Sequence, residues 1–159
     1  MPRKVKVGLQ REVKPDRKYQ SMLVQRLINK SILSGKKHVA EKAVYQALEL
    51  AAKKLGSEDP LAVFEKALKN VSPNFEIKSR RVGGANYQIP FPIQGHRQLH
   101  YAFSWLVQSA RVRKGSSYSQ RLALEIVDAY GETGGAFKKR EDTHRMAEAN
   151  RAFAHFARA

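Results

Sequence analysis

Apolar residues recur at helical spacing over most of the chain. Leu23, Val24, Leu27, Ile28 and Ile32 share one face, which predicts a helix that follows a cap at Asp16 and runs to about Leu33. Ser34-Gly35 stops it. Val39, Ala40, Ala43, Val44, Ala47, Leu48, Ala51 and Leu55 form a second stripe, predicting a helix over roughly Lys37 to Leu55 that Gly56 ends. Asp59-Pro60 starts a third, with Asp as the cap and Pro at the first helical position, where its missing N–H costs nothing. Its inward residues are Leu61, Phe64, Ala67, Leu68 and Val71, and Ser72-Pro73 closes it. A fourth helix is predicted from about His96 to Val112 on Leu99, Phe103, Leu106, Val107 and Ala110; Trp105 falls off that stripe and is expected to pack on a second element. Ser117, three residues before Gln120, reads as a capping box for a fifth helix with Leu122, Ala123, Ile126, Val127 and Tyr130 inward. The last helix, about Ala136 to Phe156, has sparser apolar positions. Lys138–Asp142 and Glu141–Arg145 pairing would support it, so it is expected to dock partly and protrude.

Between the third and fourth helices the period changes. In the stretch from Pro73 to Pro92, two arms of extended character flank Gly83-Gly84. A Gly-Gly pair suits a two-residue hairpin turn, since both central residues need φ > 0. Closing the turn there pairs Val82 with Ala85, Arg80 with Tyr87 and Lys78 with Ile89, with Arg81 opposite Asn86 and Ser79 opposite Gln88. Neither face of the tip is apolar, so the tip belongs outside the core. Pro90 and Pro92 tolerate an edge but not a central strand, so the ribbon should stay two-stranded. The predicted fold class is mainly α: a six-helix bundle with a protruding two-stranded β-hairpin at about 74–91, preceded by a basic N-terminal arm over residues 1–18. Residues 19–159 then form one helical domain.

Charge decides which functions are worth weighing. The 159 residues carry 30 Lys and Arg against 14 Asp and Glu, a formal net charge of +16. That excess implies a polyanionic partner, nucleic acid being the usual one. An acidic membrane surface is the competitor; no apolar run approaches the roughly 20 residues of a spanning helix, and no membrane partner is expected. The basic start lacks an apolar signal segment, and a cytosolic location is expected. With no cysteine, disulfides and thiolate metal sites are excluded.

Two motifs mimic other chemistry. His96-Arg97-Gln98-Leu99-His100 has the two-His spacing of a zinc protease helix, but Arg97 stands where the general base should be and opposes a bound cation. Gly131 through Lys139 superficially resembles a phosphate loop, yet no Ser or Thr follows the Lys and the preceding element is helical. No cofactor is expected.

One resemblance covers essentially the whole chain. Lys78-Ser79-Arg80-Arg81-Val82-Gly83-Gly84-Ala85-Asn86-Tyr87-Gln88-Ile89-Pro90 resembles the hairpin signature of the bacterial-type small-subunit ribosomal protein seven family. The run from Lys138 to His155 resembles its last helix, and Ser34-Gly35-Lys36-Lys37 its first interhelical loop. The resemblance implies a ribosomal, non-enzymatic protein that binds small-subunit rRNA directly and nucleates assembly of the subunit head, near the decoding centre and the exit tRNA site. By it, Arg3, Lys4, Lys6, Lys36, Lys37, Lys78, Arg80, Arg97, Arg111, Arg113 and Lys114 are expected to face rRNA. Arg81, Gly83, Gly84, Lys138, Lys139, Arg140 and Arg145 are expected near exit-site tRNA and mRNA. Small-subunit ribosomal proteins nine and eleven are the implied protein neighbours. The chain departs from the family pattern at Gln94-Gly95-His96-Arg97, which holds one fixed charge where adjacent basic residues are usual, and at Phe156-Ala157-Arg158-Ala159, which does not finish on the aromatic residue that the family leads one to expect.

Three other readings compete. A free-standing DNA-binding protein would isolate a recognition helix, whereas the cations here are spread over arms and loops. A nuclease would cluster carboxylates, whereas Glu141-Asp142 is spaced for salt bridging. A structural protein with no nucleic-acid role would not need so large a positive charge.

Overall fold

The computed structural model describes residues 13–157. The described residues form six α-helices and one hairpin in the order α1 (Met22–Ser31), α2 (Lys37–Leu55), α3 (Pro60–Val71), β1 (Phe75–Val82), β2 (Ala85–Pro92), α4 (His96–Val112), α5 (Tyr118–Tyr130) and α6 (Gly134–Ala149). A 3-10 helix, Arg151–Ala157, follows. The mainly helical bundle with a two-stranded antiparallel ribbon is the architecture that the apolar periodicity predicts.

Helix α5 is the central element and packs on α2, α3, α4 and α6. Leu122, Ala123, Ile126 and Ala129 from α5 meet Val44, Leu48 and Ala51 of α2, Phe64, Ala67 and Leu68 of α3, and Leu106 and Ala110 of α4 in one continuous core. Trp105 is half-buried against it, with its ring 5.6 Å from that of Tyr101. Asp59 accepts the Leu61 N–H at 2.8 Å with Pro60 behind it, and Ser117 accepts the Gln120 N–H, so both predicted caps form.

The first helix begins later than expected. Asp16 does not cap it but organises the loop before it, accepting the backbone N–H groups of Lys18 (3.0 Å), Tyr19 (2.8 Å) and Ser21 (2.8 Å). The Tyr45 hydroxyl of α2 also donates to Asp16, at 3.1 Å. Burial, with Asp16 beside it, pushes the Tyr45 hydroxyl up to about 12, so it remains a donor at ordinary pH. With Asp16 engaged, Ser21 becomes the cap and accepts the Leu23 N–H. Val39, read as part of the α2 core stripe, lies 64% exposed in the first turn.

The hairpin register matches the pairing that a turn at Gly83-Gly84 predicts, with Val82 opposite Ala85, Arg80 opposite Tyr87 and Lys78 opposite Ile89. Both turn glycines have positive φ (56° and 90°), as the turn type requires.

The last helix stops earlier than its charge pattern suggests. Asn150 closes it, placing both its backbone N–H (3.2 Å) and its side-chain amide (2.8 Å) on the Met146 carbonyl, and the chain continues as the 3-10 helix. That segment folds back on β2, with the Phe153 and Tyr87 rings 5.0 Å apart. The ion pair within α6 is Arg145–Asp142 at 3.9 Å, in place of the expected i,i+4 pairs.

Candidate nucleic-acid interface

The first basic group is assembled from two separate loops. Helices α1 and α4 end side by side: Arg111 donates to the Ser31 carbonyl at 3.4 Å, and the Tyr118 hydroxyl donates to the Ser31 hydroxyl at 2.9 Å. Lys36 and Lys37, which open α2, thus share one end of the bundle with Arg111 and Lys114. All four are exposed. Arg121 fixes the end of α4 by donating to the carbonyls of Arg111 (3.3 Å) and Arg113 (2.6 Å).

Arg113 belongs to the same loop and faces the other way. Its guanidinium meets Glu125 at 2.7 Å and also pairs with Asp128. Burial opposes its charge, but Asp128 and Glu125 outweigh that and raise its pKa above the ordinary arginine range. Glu125 itself is 1% exposed, and its second oxygen accepts the Ala136 N–H at 2.7 Å. One buried carboxylate therefore holds the α4–α5 loop and fills the N-terminus of α6. Gly134 and Gly135 allow the close approach, since a Cβ at Gly134 would lie 2.8 Å from the Asp128 Cβ and one at Gly135 would lie 3.1 Å from the Ser109 hydroxyl. The stretch that resembles a phosphate loop thus surrounds an anion supplied by the protein.

A second group sits at the root of the hairpin. Glu76, 3% exposed, accepts from the Lys78 ammonium at 2.9 Å, from the Tyr101 hydroxyl at 2.9 Å and from Arg97. Burial would raise its pKa; the bonds from Lys78, Arg97 and Tyr101 outweigh that and hold it below the usual carboxylate range. Lys78 and Arg97, predicted from distant stretches, are thereby brought together. Their side chains stay 48% and 56% exposed, leaving each able to meet a phosphate from its outer side.

Arg80, Arg81, Gly83 and Gly84 are exposed along the upper hairpin. On α6, Lys138 and Arg145 face outward, and Lys139 donates to Gln108 at 2.9 Å. Arg140 turns inward and donates to the Asn70 carbonyl at the end of α3, at 3.0 Å. A second tie joins α6 to the hairpin root: the Asn74 N–H donates to His144 Nε2 at 3.0 Å, and the His144 ring meets Phe75 edge-on. Arg3, Lys4 and Lys6 lie outside the described residues.

Glu76, Glu125 and His144 were not singled out by sequence reasoning. The signal for Glu125 was present, because an acid falls among Leu122, Ile126 and Ala129 on an apolar face. Among the described residues no cluster of three or more metal-ligating side chains occurs, and no helix is long and apolar enough to cross a membrane.

Residues 2–151 match the family model described as ribosomal protein S7p/S5e. The chain is 54% identical over 156 residues to the small ribosomal subunit protein uS7 of Dictyoglomus turgidum, covering 98% of this chain and 99% of that protein. It is 53% identical over 156 residues to the proteins of that name from Thermomicrobium roseum and Ligilactobacillus salivarius, with the same shares covered.

Proposed function

The chain belongs to the ribosomal protein S7p/S5e family, a structural and non-enzymatic component of the small ribosomal subunit, and on that premise we propose that it binds small-subunit rRNA directly and nucleates folding of the subunit head. The observation that carries this reading is the convergence of Lys36, Lys37, Arg111 and Lys114 at one end of a rigid bundle, with a second cationic group around Glu76 at the hairpin root. Folded RNA is recognised mostly by shape, sugar and phosphate. Two separated basic groups on one scaffold hold two rRNA helices in a fixed relation, which is what nucleating assembly requires.

Within this reading, Lys36, Lys37, Lys78, Arg80, Arg97, Arg111 and Lys114 contact phosphates, and Arg3, Lys4 and Lys6 add to them from the arm. Arg113 acts through position: it fixes the loop that presents Arg111 and Lys114. Arg81, Gly83 and Gly84 at the tip, with Lys138, Lys139 and Arg145 on α6, lie nearest exit-site tRNA and mRNA, while Arg140 sets the seat of α6. Small-subunit proteins nine and eleven are the proposed protein neighbours.

The test is binding of the free protein to a transcribed head-domain rRNA fragment, with backbone footprinting. Each phosphate contact contributes roughly 0.7–0.9 to the slope of log K against log salt. A steep fall in affinity with salt and discrete protected segments on more than one rRNA helix are expected. Affinity that is flat between low and physiological salt would refute the reading.

A further inference from the structure

Three of the large apolar side chains that the fold leaves exposed lie on the elements carrying the first cationic group. Leu33 is 63% exposed in the α1–α2 loop, Val39 is 64% exposed in the first turn of α2, and Val112 is 77% exposed at the end of α4. Single exposed aliphatic residues are ordinary on protein surfaces. Placement sets these apart. Leu33 and Val112 each lie within two residues of the bond between Arg111 and the Ser31 carbonyl, so they flank the seam between the two helix ends. Lys36, Lys37, Arg111 and Lys114 surround that seam. The nearby carboxylates of Glu125 and Asp128 are taken up by Arg113. The seam is also rigid, held by Tyr118 on Ser31 and by Arg121 on two carbonyls.

We propose that Leu33 and Val112 form an apolar contact on which an unstacked rRNA base packs, inside the ring of phosphate-binding cations. The inference rests on the rRNA-binding reading above and adds to it a contact that reads shape, since it needs a base splayed out of its stack. Charge complementarity selects the occupant, since a patch ringed by lysine and arginine favours a polyanion over an apolar protein face. Every unstacked base offers an apolar face, and RNA recognition targets such splayed bases. Phosphate contacts fix register, while packing on a base face separates a splayed base from a stacked one. A preformed seam lowers the ordering cost of that contact.

Salt separates the apolar contribution from the ionic one. The double variant Leu33→Ser/Val112→Ser is expected to bind the head rRNA fragment roughly tenfold more weakly. Its salt slope should equal that of the wild type, because no phosphate contact is lost. Lys36→Gln/Lys37→Gln should instead lower the slope by about 0.7–0.9 per lysine. Leu33→Met/Val112→Ile keeps apolar surface and should retain wild-type affinity. Both side chains are exposed, so circular dichroism of the serine variant should match the wild type. Wild-type affinity in the serine variant overturns the proposal, as does a loss accompanied by a reduced slope. Unchanged RNA binding with lost binding to small-subunit protein nine or eleven would assign the patch to a protein instead and overturn it equally. Failure of the wild type to bind the fragment would refute the rRNA-binding reading itself, a distinguishable result.

Discussion

Arg113 and Lys114 are neighbours in a basic loop, and their environments give them different work. Glu125 and Asp128 neutralise Arg113, whereas Lys114 stands exposed. Glu125→Ala would leave the half-buried Arg113 guanidinium to Asp128 alone and strip the buried Ala136 N–H of its acceptor, and it is expected to cost about 1–3 kcal/mol in urea melts. Arg113→Gln should lower stability while leaving the salt slope of rRNA binding unchanged; Lys114→Gln should do the reverse, lowering the slope by roughly 0.7–0.9. This division was not legible in the sequence, because both residues read as cations in a loop. Only the acid on the apolar α5 stripe hinted at a buried partner. Glu76 poses the same problem at the hairpin root. Its pKa is held low in the folded state, so the unfolded chain takes up its proton first as pH falls. The stability Glu76 contributes is therefore full above about pH 4.5 and is lost as pH falls through its folded pKa. Glu76→Gln should be less stable than wild type at pH 7, with the gap between their urea midpoints shrinking below about pH 4. A gap that widens on acidification would contradict the arrangement.

Elements with both a clean period and a local stop signal were the legible ones. α2, α3, α4 and α5 fall where their stripes predict, with Val39 the exception on α2, the caps of α3 and α5 form, and the Gly83-Gly84 turn fixes the hairpin register. The ends of the chain were harder to read, for a physical reason. Asp16 has the composition of a cap, but Tyr45 on α2 helps fix it in a loop of its own. The sequence of the 3-10 helix has just two large apolar residues among its alanines, and one of them, Phe153, finds its partner, Tyr87, on the hairpin far along the chain. No local pattern announces such a contact. The consequence is a hairpin backed along β2 by the C-terminal segment and pinned at its root by α6 through His144. Nε2 of His144 accepts a hydrogen bond, so the ring must be neutral. Burial, with Arg140 adding to it, lowers the His144 pKa. The groove beside it also holds Glu148 and Arg151. The tie is therefore intact above the unfolded histidine pKa near 6.5 and is lost as pH falls through the lower folded value. The protection factor of the Asn74 amide, measured against the intrinsic exchange rate at each pH, is expected to fall over that range. His144→Gln keeps an acceptor without a titrating ring and should abolish this pH dependence.

At the scale of the whole molecule the cations divide between a root and a tip. Lys78 and Arg97 meet at Glu76 beside the bundle, whereas Arg81, Gly83 and Gly84 lie exposed at the far end of the ribbon. The rRNA-binding reading assigns affinity to the root and to the Lys36–Lys37 and Arg111–Lys114 loops. The tip adds reach. A variant can separate the two without disturbing register: removing Arg81, Val82, Ala85 and Asn86 joins Arg80 to Gly83 and Gly84 to Tyr87. The Gly-Gly turn then closes directly on the existing Arg80–Tyr87 pair, with Lys78 still opposite Ile89. The Tyr87–Phe153 contact and the Glu76 cluster are outside the deleted pairs. One cation is lost, so the salt slope for the head rRNA fragment should fall by no more than about one unit, with head assembly retained. Retention of exit-site tRNA on reconstituted ribosomes is expected to change, because the tip is the part of the ribbon farthest from the bundle. Neutralising Lys78 and Arg80 in the full-length ribbon should give the opposite result, a lower slope and weaker rRNA binding with tRNA retention preserved on the subunits that form. If shortening the ribbon abolishes rRNA binding while tRNA retention on surviving subunits stays normal, root and tip do not divide the work in this way.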